Sequence, residues 1–409
     1  MKNLADHDSF VDGVPHDTFE QMRSEAPVHW TPDHGADKGF WSLTRYTDIM
    51  AAQKEPTTFS SAQGIRIEDQ SYAEYMARRT FQETDPPEHS TTRRVVNPAF
   101  AKPVMAGFEP VIRELASDIV DQALQHSEFD GIDLIAKRLP MLMLGRILGV
   151  PDVDLDWLVE RGDALIGNTD PDFTETVIDK VNTDAYAMMP FRSPAGVELY
   201  DYAEEILNGA RSVDDEGILA RVLRAEGGAV QGQDFKNFFC LLVAAGNDTT
   251  RYSIAMALWL LTQNKGLLPQ LQTGAVWESC ADEFIRLASP TLHFRRTATR
   301  DVKMHGETIK EGDKVLMWFV SGNRDEAMFK DPHTAHLDRS PNRHMAFGQG
   351  GPHVCLGMWL AKLELKVVLQ ELAGRITGLE ATAAPTWTRS NFICGVKSLT
   401  LRPTLKGRP

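Results

Sequence analysis

A mainly helical fold with a minor antiparallel β region is what this sequence predicts, on three observations. Apolar residues recur at helical spacing through most of residues 88–226, and again over about 234–262 and 356–372. Strand signals are short and fall roughly within 15–80, 290–325 and 385–403. No strand–helix–strand alternation points to a doubly wound sheet.

Taken in order, GFWSLTRY at 39–46 reads as a strand and 47–54 as a helix. The helical stretch 88–226 is broken by loops at Asp170-Pro171-Asp172 and Ser193-Pro194. Glycines in EGGAVQGQD, 226–234, mark a further loop. A long helix then covers about 234–262, and another covers 276–287 and stops before Pro290, because proline disfavours helix at the residue preceding it. VKMHGETIK reads as two strands about a His305-Gly306 turn, and KVLMWFV as a strand after Glu311-Gly312. The last helix runs over 356–372, and 392–401 reads as a hairpin. These elements are expected to form one domain over 1–409, its helical part at about 88–288 and 355–375.

Composition narrows the function classes. Of 409 residues 42% are apolar, and 30 glycines raise that share to about 49%, a globular value that excludes a disordered chain. Lys plus Arg number 43 against 57 Asp plus Glu, a net charge of −14. That balance argues against nucleic acid, which wants a basic field, and leaves room for a local basic patch that docks an acidic protein. The N-terminal MKNLADHDSFVDGVP lacks the apolar centre of a secretory signal, and no run of roughly 18 apolar residues exists to span a membrane. Cys240, Cys280, Cys355 and Cys394 stand 40, 75 and 39 residues apart with no CxxC pair. This argues against zinc and for reduced thiols in the cytoplasm. FGQGG lacks the spacing of a pyrophosphate-binding loop.

Four patterns could carry chemistry. In FGQGGPHVCLG, 347–357, glycines let backbone approach a flat ligand, and Cys355 stands just before a helix whose N–H groups favour a thiolate. The cysteine reads as an axial iron ligand, as an inert buried thiol, or as half of a Cys–His pair with His353. In AGNDTT, 245–250, a glycine and threonines interrupt an apolar helix. A threonine there can bond back to the preceding turn and bend the helix, opening space beside Asp248 and Thr249 for proton delivery. The other reading is a helix crossing that needs a small residue at Gly246. Glu283 and Arg286 in EFIR share a helix face at i, i+3, the spacing of an ordinary solvated ion pair as well. His89, Arg93, Arg296 and His353 would clamp a carboxylate if the fold brought them together.

In this order and spacing the four resemble the cytochrome P-450 monooxygenases, more closely the soluble bacterial type, from about residue 15 to the C-terminus. FGQGGPHVCLG resembles the haem-binding loop, with one residue more than the commonest bacterial form. AGNDTT resembles the oxygen-activation turn and EFIR the ExxR motif. Arg339 in HLDRSPNRHMAFG stands where the third member of that ion-pair cluster is placed. DPPEHSTTRR resembles the His-x-x-x-Arg element, and HFRRTATRD the propionate-binding segment.

The resemblance implies a triangular helical prism with haem b (iron protoporphyrin IX) between the long central helix and the Cys-bearing helix. Cys355 would ligate the iron, with Phe347 near the sulfur and Gly357 in the loop. His89, Arg93, Arg296 and His353 would hold the propionates. Glu283, Arg286 and Arg339 would brace the loop below the haem. Above it, Gly246 would make room for O2, Thr249 would hydrogen-bond there and Asp248 would relay protons. The substrate pocket would include Leu241, Ala244, Ala245, Leu292, His293, Phe294, Phe392 and Ile393, with His293 able to read a polar handle. Residues 63–79 and 165–195 would form the lid. The guest would be an apolar small molecule: terpenoid, steroid, alkyl or aromatic. The AGNDTTR and KEGDKVLMWFVSGNRDE stretches look like branches acting on alkyl or terpenoid chains. Electrons would come from a separate ferredoxin and its reductase, docked near Arg94, Lys362 and Lys366. A peroxide-driven peroxygenase and a haem protein that only binds ligands are the alternatives.

Overall fold

In a computed structural model, which describes residues 1–225 and 230–407, helices dominate and small sheets flank them. The expected loop at 226–234 lies partly outside the described residues. The organising element is the helix Gly232–Gln263, whose 32 residues span about 48 Å. Its first turn is exposed and the rest is mostly buried, with Asn237, Asn247, Asp248, Thr250 and Arg251 among the buried residues. Helices Arg138–Leu148, Leu155–Ile166, Pro194–Leu207 and Cys280–Ala288 pack on it. The assigned helix runs through 245–250 without the expected interruption. The hydroxyl of Thr249 donates to the Ala245 carbonyl at 3.0 Å, which satisfies it locally within the helical turn.

The five-stranded sheet has the order Val28–Thr31, Phe40–Leu43, Lys314–Trp318, His293–Ala298, Phe59–Ser60. Its pairings are antiparallel except that Phe40–Leu43 and Lys314–Trp318 run parallel. Val302–Met304 and Glu307–Ile309 pair about the His305-Gly306 turn. The hairpin expected at 392–401 is not formed. Val396–Ser398 pairs back to Thr386–Trp387, while Thr400–Leu405 joins a sheet with Ile376–Ala381 and Phe129–Asp130. Only Leu399 separates the two strands, fewer residues than the shortest hairpin turn requires.

The largest apolar cluster surrounds the long helix, and two smaller ones fill the faces of the five-stranded sheet. The N-terminal arm is tied to two distant segments. Arg389 binds Asp8, both oxygens of Asp179 at 2.6 and 3.0 Å, and the Thr169 carbonyl at 2.6 Å. Asn391 donates to the carbonyls of Leu4 and Ala5 at 3.3 and 2.9 Å. Among the described residues no helix is long and apolar enough to cross a membrane, and no cluster of His, Cys, Asp and Glu is arranged to hold a metal.

Candidate haem and substrate site

The cysteine loop owes its shape to glycine. Gly348 and Gly350 have φ of +67° and +107°, which side-chain-bearing residues rarely adopt. The loop presses on helix Tyr46–Lys54 so closely that a Cβ on Gly351 would collide with the Gln53 carbonyl oxygen. The Cys355 amide donates to the Phe347 carbonyl at 2.9 Å, closing the loop. Helix Met358–Arg375 follows at once.

Cys355 differs from the other three cysteines, which are buried; its side chain opens into a cavity. The surrounding protein pushes the thiol up, against the pull of the Gly357 and Met358 amides and the Arg93 charge. The cavity and the open solvent at its mouth together make up about 2360 Å³ of empty space. Its wall gathers Cys355, Phe347, Gly357, His89, Arg93, Arg296 and His353 with Leu241, Ala244, Ala245, Gly246, Thr249, Phe294, Phe392 and Ile393. Both expected lid segments contribute, through Gly64–Arg78 residues and through Ile166, Ile178 and Pro190–Arg192. Leu144, Ile147, Leu148 and Thr291 also line it and carry no motif that the sequence would single out.

Leu292 and His293 do not line the cavity. Leu292 packs in the N-terminal apolar cluster. His293 is fully buried, its Nδ1 3.0 Å from the Asn391 carbonyl and its ring 4.7 Å from Trp318. Side chains alternate along the strand His293–Ala298, so the neighbour Phe294 faces the cavity instead.

Two guanidiniums, Arg93 and Arg296, and two imidazoles, His89 and His353, crowd one side of the wall. The rings of His89 and His353 lie 4.1 Å apart. Burial, and then mutual repulsion with Arg93 and Arg296, holds His89 down at about 4. Burial pushes Arg296 down to about 10. Among the described residues none of the four forms an ion pair, and His89 Nδ1, His89 Nε2 and His353 Nδ1 have no hydrogen-bond partner. Two buried guanidiniums without an anion are costly, and the orphaned imidazole nitrogens beside them can donate, so this arrangement asks for a negatively charged ligand.

Behind the loop, Glu283 and Arg286 are fully buried and form a two-bond pair at 2.9 and 2.8 Å. Glu283 also accepts from Arg339 Nε at 3.0 Å, Asn342 at 2.9 Å and the His336 amide at 2.9 Å. Burial alone would raise this carboxyl; the Arg286 hydrogen bond and charge outweigh it and hold the group below its ordinary value. Arg286 Nη1 donates to the Asn323 carbonyl at 2.7 Å, and the Asn323 side chain accepts from the Met345 amide at 2.7 Å. The cluster thus reaches the cysteine loop through Asn323, a link with no sequence signal. Such a buried network fixes geometry more surely than it adds stability.

Asp248 is almost fully buried and is not part of the cavity wall. It pairs with Arg251 at 2.7 Å; Arg251 also holds Asp163 at 2.8 Å, which Lys137 reaches at 2.8 Å. Burial raises the Asp248 carboxyl to about 7; Arg251 opposes that shift and Asp163 adds to it. Of the three basic docking candidates, Arg94 is exposed and unpaired among the described residues. Lys362 and Lys366 are instead engaged by Asp282 at 2.6 Å and Glu278 at 2.5 Å.

Comparison with known proteins agrees with this geometry. The cytochrome P450 family model matches residues 275–373. The linalool 8-monooxygenase of Pseudomonas putida is 32% identical, covering 97% of each chain. The methyl-branched lipid omega-hydroxylase of Mycobacterium tuberculosis is 32% identical over 95% of this chain and 91% of its own. Among solved structures, Mycobacterium marinum cytochrome P450 CYP268A2 in complex with pseudoionone has a TM-score of 0.85 at 30% identity, covering 94% of each chain. The chain belongs to the cytochrome P450 family and is a haem-dependent monooxygenase.

The residues present fit haem b. A thiol opens into the cavity just ahead of a helix, and the two unpaired guanidiniums with the orphaned imidazole nitrogens supply donors for two carboxylates.

Proposed function

We propose that this protein inserts one atom of O2 into an apolar small molecule, with electrons from a separate ferredoxin and its reductase. The balance is RH + O2 + 2 electrons + 2 protons giving ROH + water. The observation that carries the reading is one cavity lined at once by the Cys355 thiol, two guanidiniums and two imidazoles with no ion-pair partner among the described residues, Thr249 and apolar walls.

Bound haem, with thiolate ligation, supplies the cleavage of dioxygen. The chain's own residues do the rest. Cys355 offers the sulfur ligand, and Phe347 shields it. His89, Arg93, Arg296 and His353 hold the propionates by charge-assisted hydrogen bonds. Gly246 leaves space on the long helix. Thr249 turns its hydroxyl from the Ala245 carbonyl toward the cavity when a better acceptor is there. Asp248, outside the wall, takes protons from the Arg251–Asp163–Lys137 side and passes them inward through water. Glu283, Arg286 and Arg339 position the loop. The guest is apolar, as the lining requires; linalool and pseudoionone, in the names of two similar proteins, support a terpenoid. The protein works as one domain in the cytoplasm, and Arg94 is the docking cation left free for a ferredoxin.

The test is the absorption spectrum of the reduced, CO-treated protein, wild type and Cys355→Ser. The haem-thiolate band should appear in the first and vanish in the second; its persistence in the variant overturns the reading. Turnover of apolar compounds with NADH and a surrogate ferredoxin pair should weaken as ionic strength rises. Product formed from hydrogen peroxide alone, with none from NADH, moves the protein to the peroxide-driven class.

A further inference from the structure

The cavity wall is not apolar throughout. Three arginines line it away from the cysteine loop: Arg66, Arg78 and Arg192. In two, every nitrogen already donates to a protein acceptor. Arg78 gives Nε and Nη2 to Gln70 and Nη1 to the carbonyls of Ala187 and Met189. Arg192 gives its three nitrogens to Thr183, Glu74 and Asp184. Arg66 is different. Glu68 grips one edge of its fork, Nε at 3.1 Å and Nη2 at 2.7 Å, and Nη2 also reaches Asn168 at 3.4 Å. Its Nη1 donates to nothing among the described residues. Its guanidinium carbon lies 4.9 and 5.1 Å from the ring centroids of Phe191 and Phe392, both of which line the cavity.

We propose that Arg66, neutralised and aimed by Glu68, is a specificity-determining residue that selects guests bearing an uncharged oxygen acceptor, a ketone or hydroxyl, on an apolar skeleton. This rests on the reading of the cavity as the haem and substrate site. When a hydrocarbon fills the cavity it strips water from Nη1 and gives nothing back. A ketone or hydroxyl oxygen replaces that water. A carboxylate gains the same hydrogen bond but meets the Glu68 charge, which already balances Arg66. The two aromatic rings hold the guanidinium in place, so little freedom is lost on binding.

Three guests on one carbon skeleton separate the cases: limonene, its ketone carvone, and its carboxylate perillate. Each is titrated into the haem-loaded protein by calorimetry, with the haem absorption recorded in parallel. Carvone should bind at least about tenfold tighter than limonene, which is about 1.4 kcal/mol, and perillate no tighter than carvone. In Arg66→Leu the carvone advantage should shrink to about twofold, chiefly because limonene no longer desolvates Nη1 and binds tighter. In Glu68→Gln, which leaves the cation unbalanced, preference should move toward perillate by about tenfold. Equal wild-type affinities, a carvone advantage that survives Arg66→Leu, or a wild-type preference for perillate overturns the proposal. If Arg66→Leu does not fold, the Glu68→Gln shift decides. A preparation with no haem band refutes the site reading itself; a haem-bearing one with no ketone preference refutes only the role of Arg66.

Discussion

Glu364 sits on the helix that follows the cysteine, is about 1% exposed, and has no hydrogen-bond partner on either carboxyl oxygen. Burial alone pushes its carboxyl up to about 8 from the ordinary 4.5. The folded state therefore keeps a proton that the unfolded chain releases above about pH 4.5. With more protons bound in the folded state, stability falls as pH rises between those two values and is flat beyond them. The limiting slope is about 1.36 kcal/mol per pH unit, or about 2 kcal/mol between about pH 6 and about pH 7.5. Glu364→Gln keeps the shape and removes the ionisation. Urea midpoints of both haem-loaded proteins at the two pH values should show the variant gaining about 2 kcal/mol on the wild type across the interval, with the gap nearly closed near pH 4.5. An equal difference at both pH values would refute the reasoning, because it would mean that the carboxyl titrates alike in both states.

A Cβ on Gly246 would lie 2.7 Å from Leu144 Cδ1, the movable end of a side chain, and alanine gains about 1 kcal/mol over glycine inside a helix, so Gly246→Ala should change stability in thermal melting by less than about 1 kcal/mol. Asp248→Asn should lower turnover about 10²-fold with the haem spectrum intact, and should flatten the change in kcat around pH 7 where the native carboxyl passes from donor to carboxylate. Thr249→Ala should lower product formed per NADH as reducing equivalents drain to peroxide; an unchanged ratio assigns the hydroxyl no part in proton handling. Glu283→Ala leaves Arg286 and Arg339 without their shared acceptor and should cost about 3–5 kcal/mol, read as a lower melting temperature and poorer haem retention.

What the sequence made legible was local and strongly marked. The glycines around Cys355 carry the positive φ values and close approaches that the loop requires, and apolar patterning placed the long helix within two residues at its start. The C-terminal strands were misread because alternation reports that a segment is extended and says nothing about its partner. His293 was misassigned by one step of the strand period, which exchanges cavity for core. Asp248 stands away from the wall because Arg251, three residues on, draws its carboxylate toward Asp163 on another helix. The bracing by Asn323 and the Arg66–Glu68 pair escaped notice for a common reason. Their roles come from contacts with Met345 and with Phe191 and Phe392, which are far off in the chain.

One guanidinium, that of Arg389, joins the amino-terminal arm at Asp8, the roof segment at Thr169 and Asp179, and the turn that carries Phe392. The ceiling of the guest chamber is consequently not a free flap but one corner of a three-way knot. Shortening the arm would remove the Asp8 corner of that knot without altering any residue of the cavity wall. Cutting the arm away would leave Arg389 with only its Thr169 and Asp179 partners, so the roof's anchorage depends on the polypeptide's remote end as well as on its own residues.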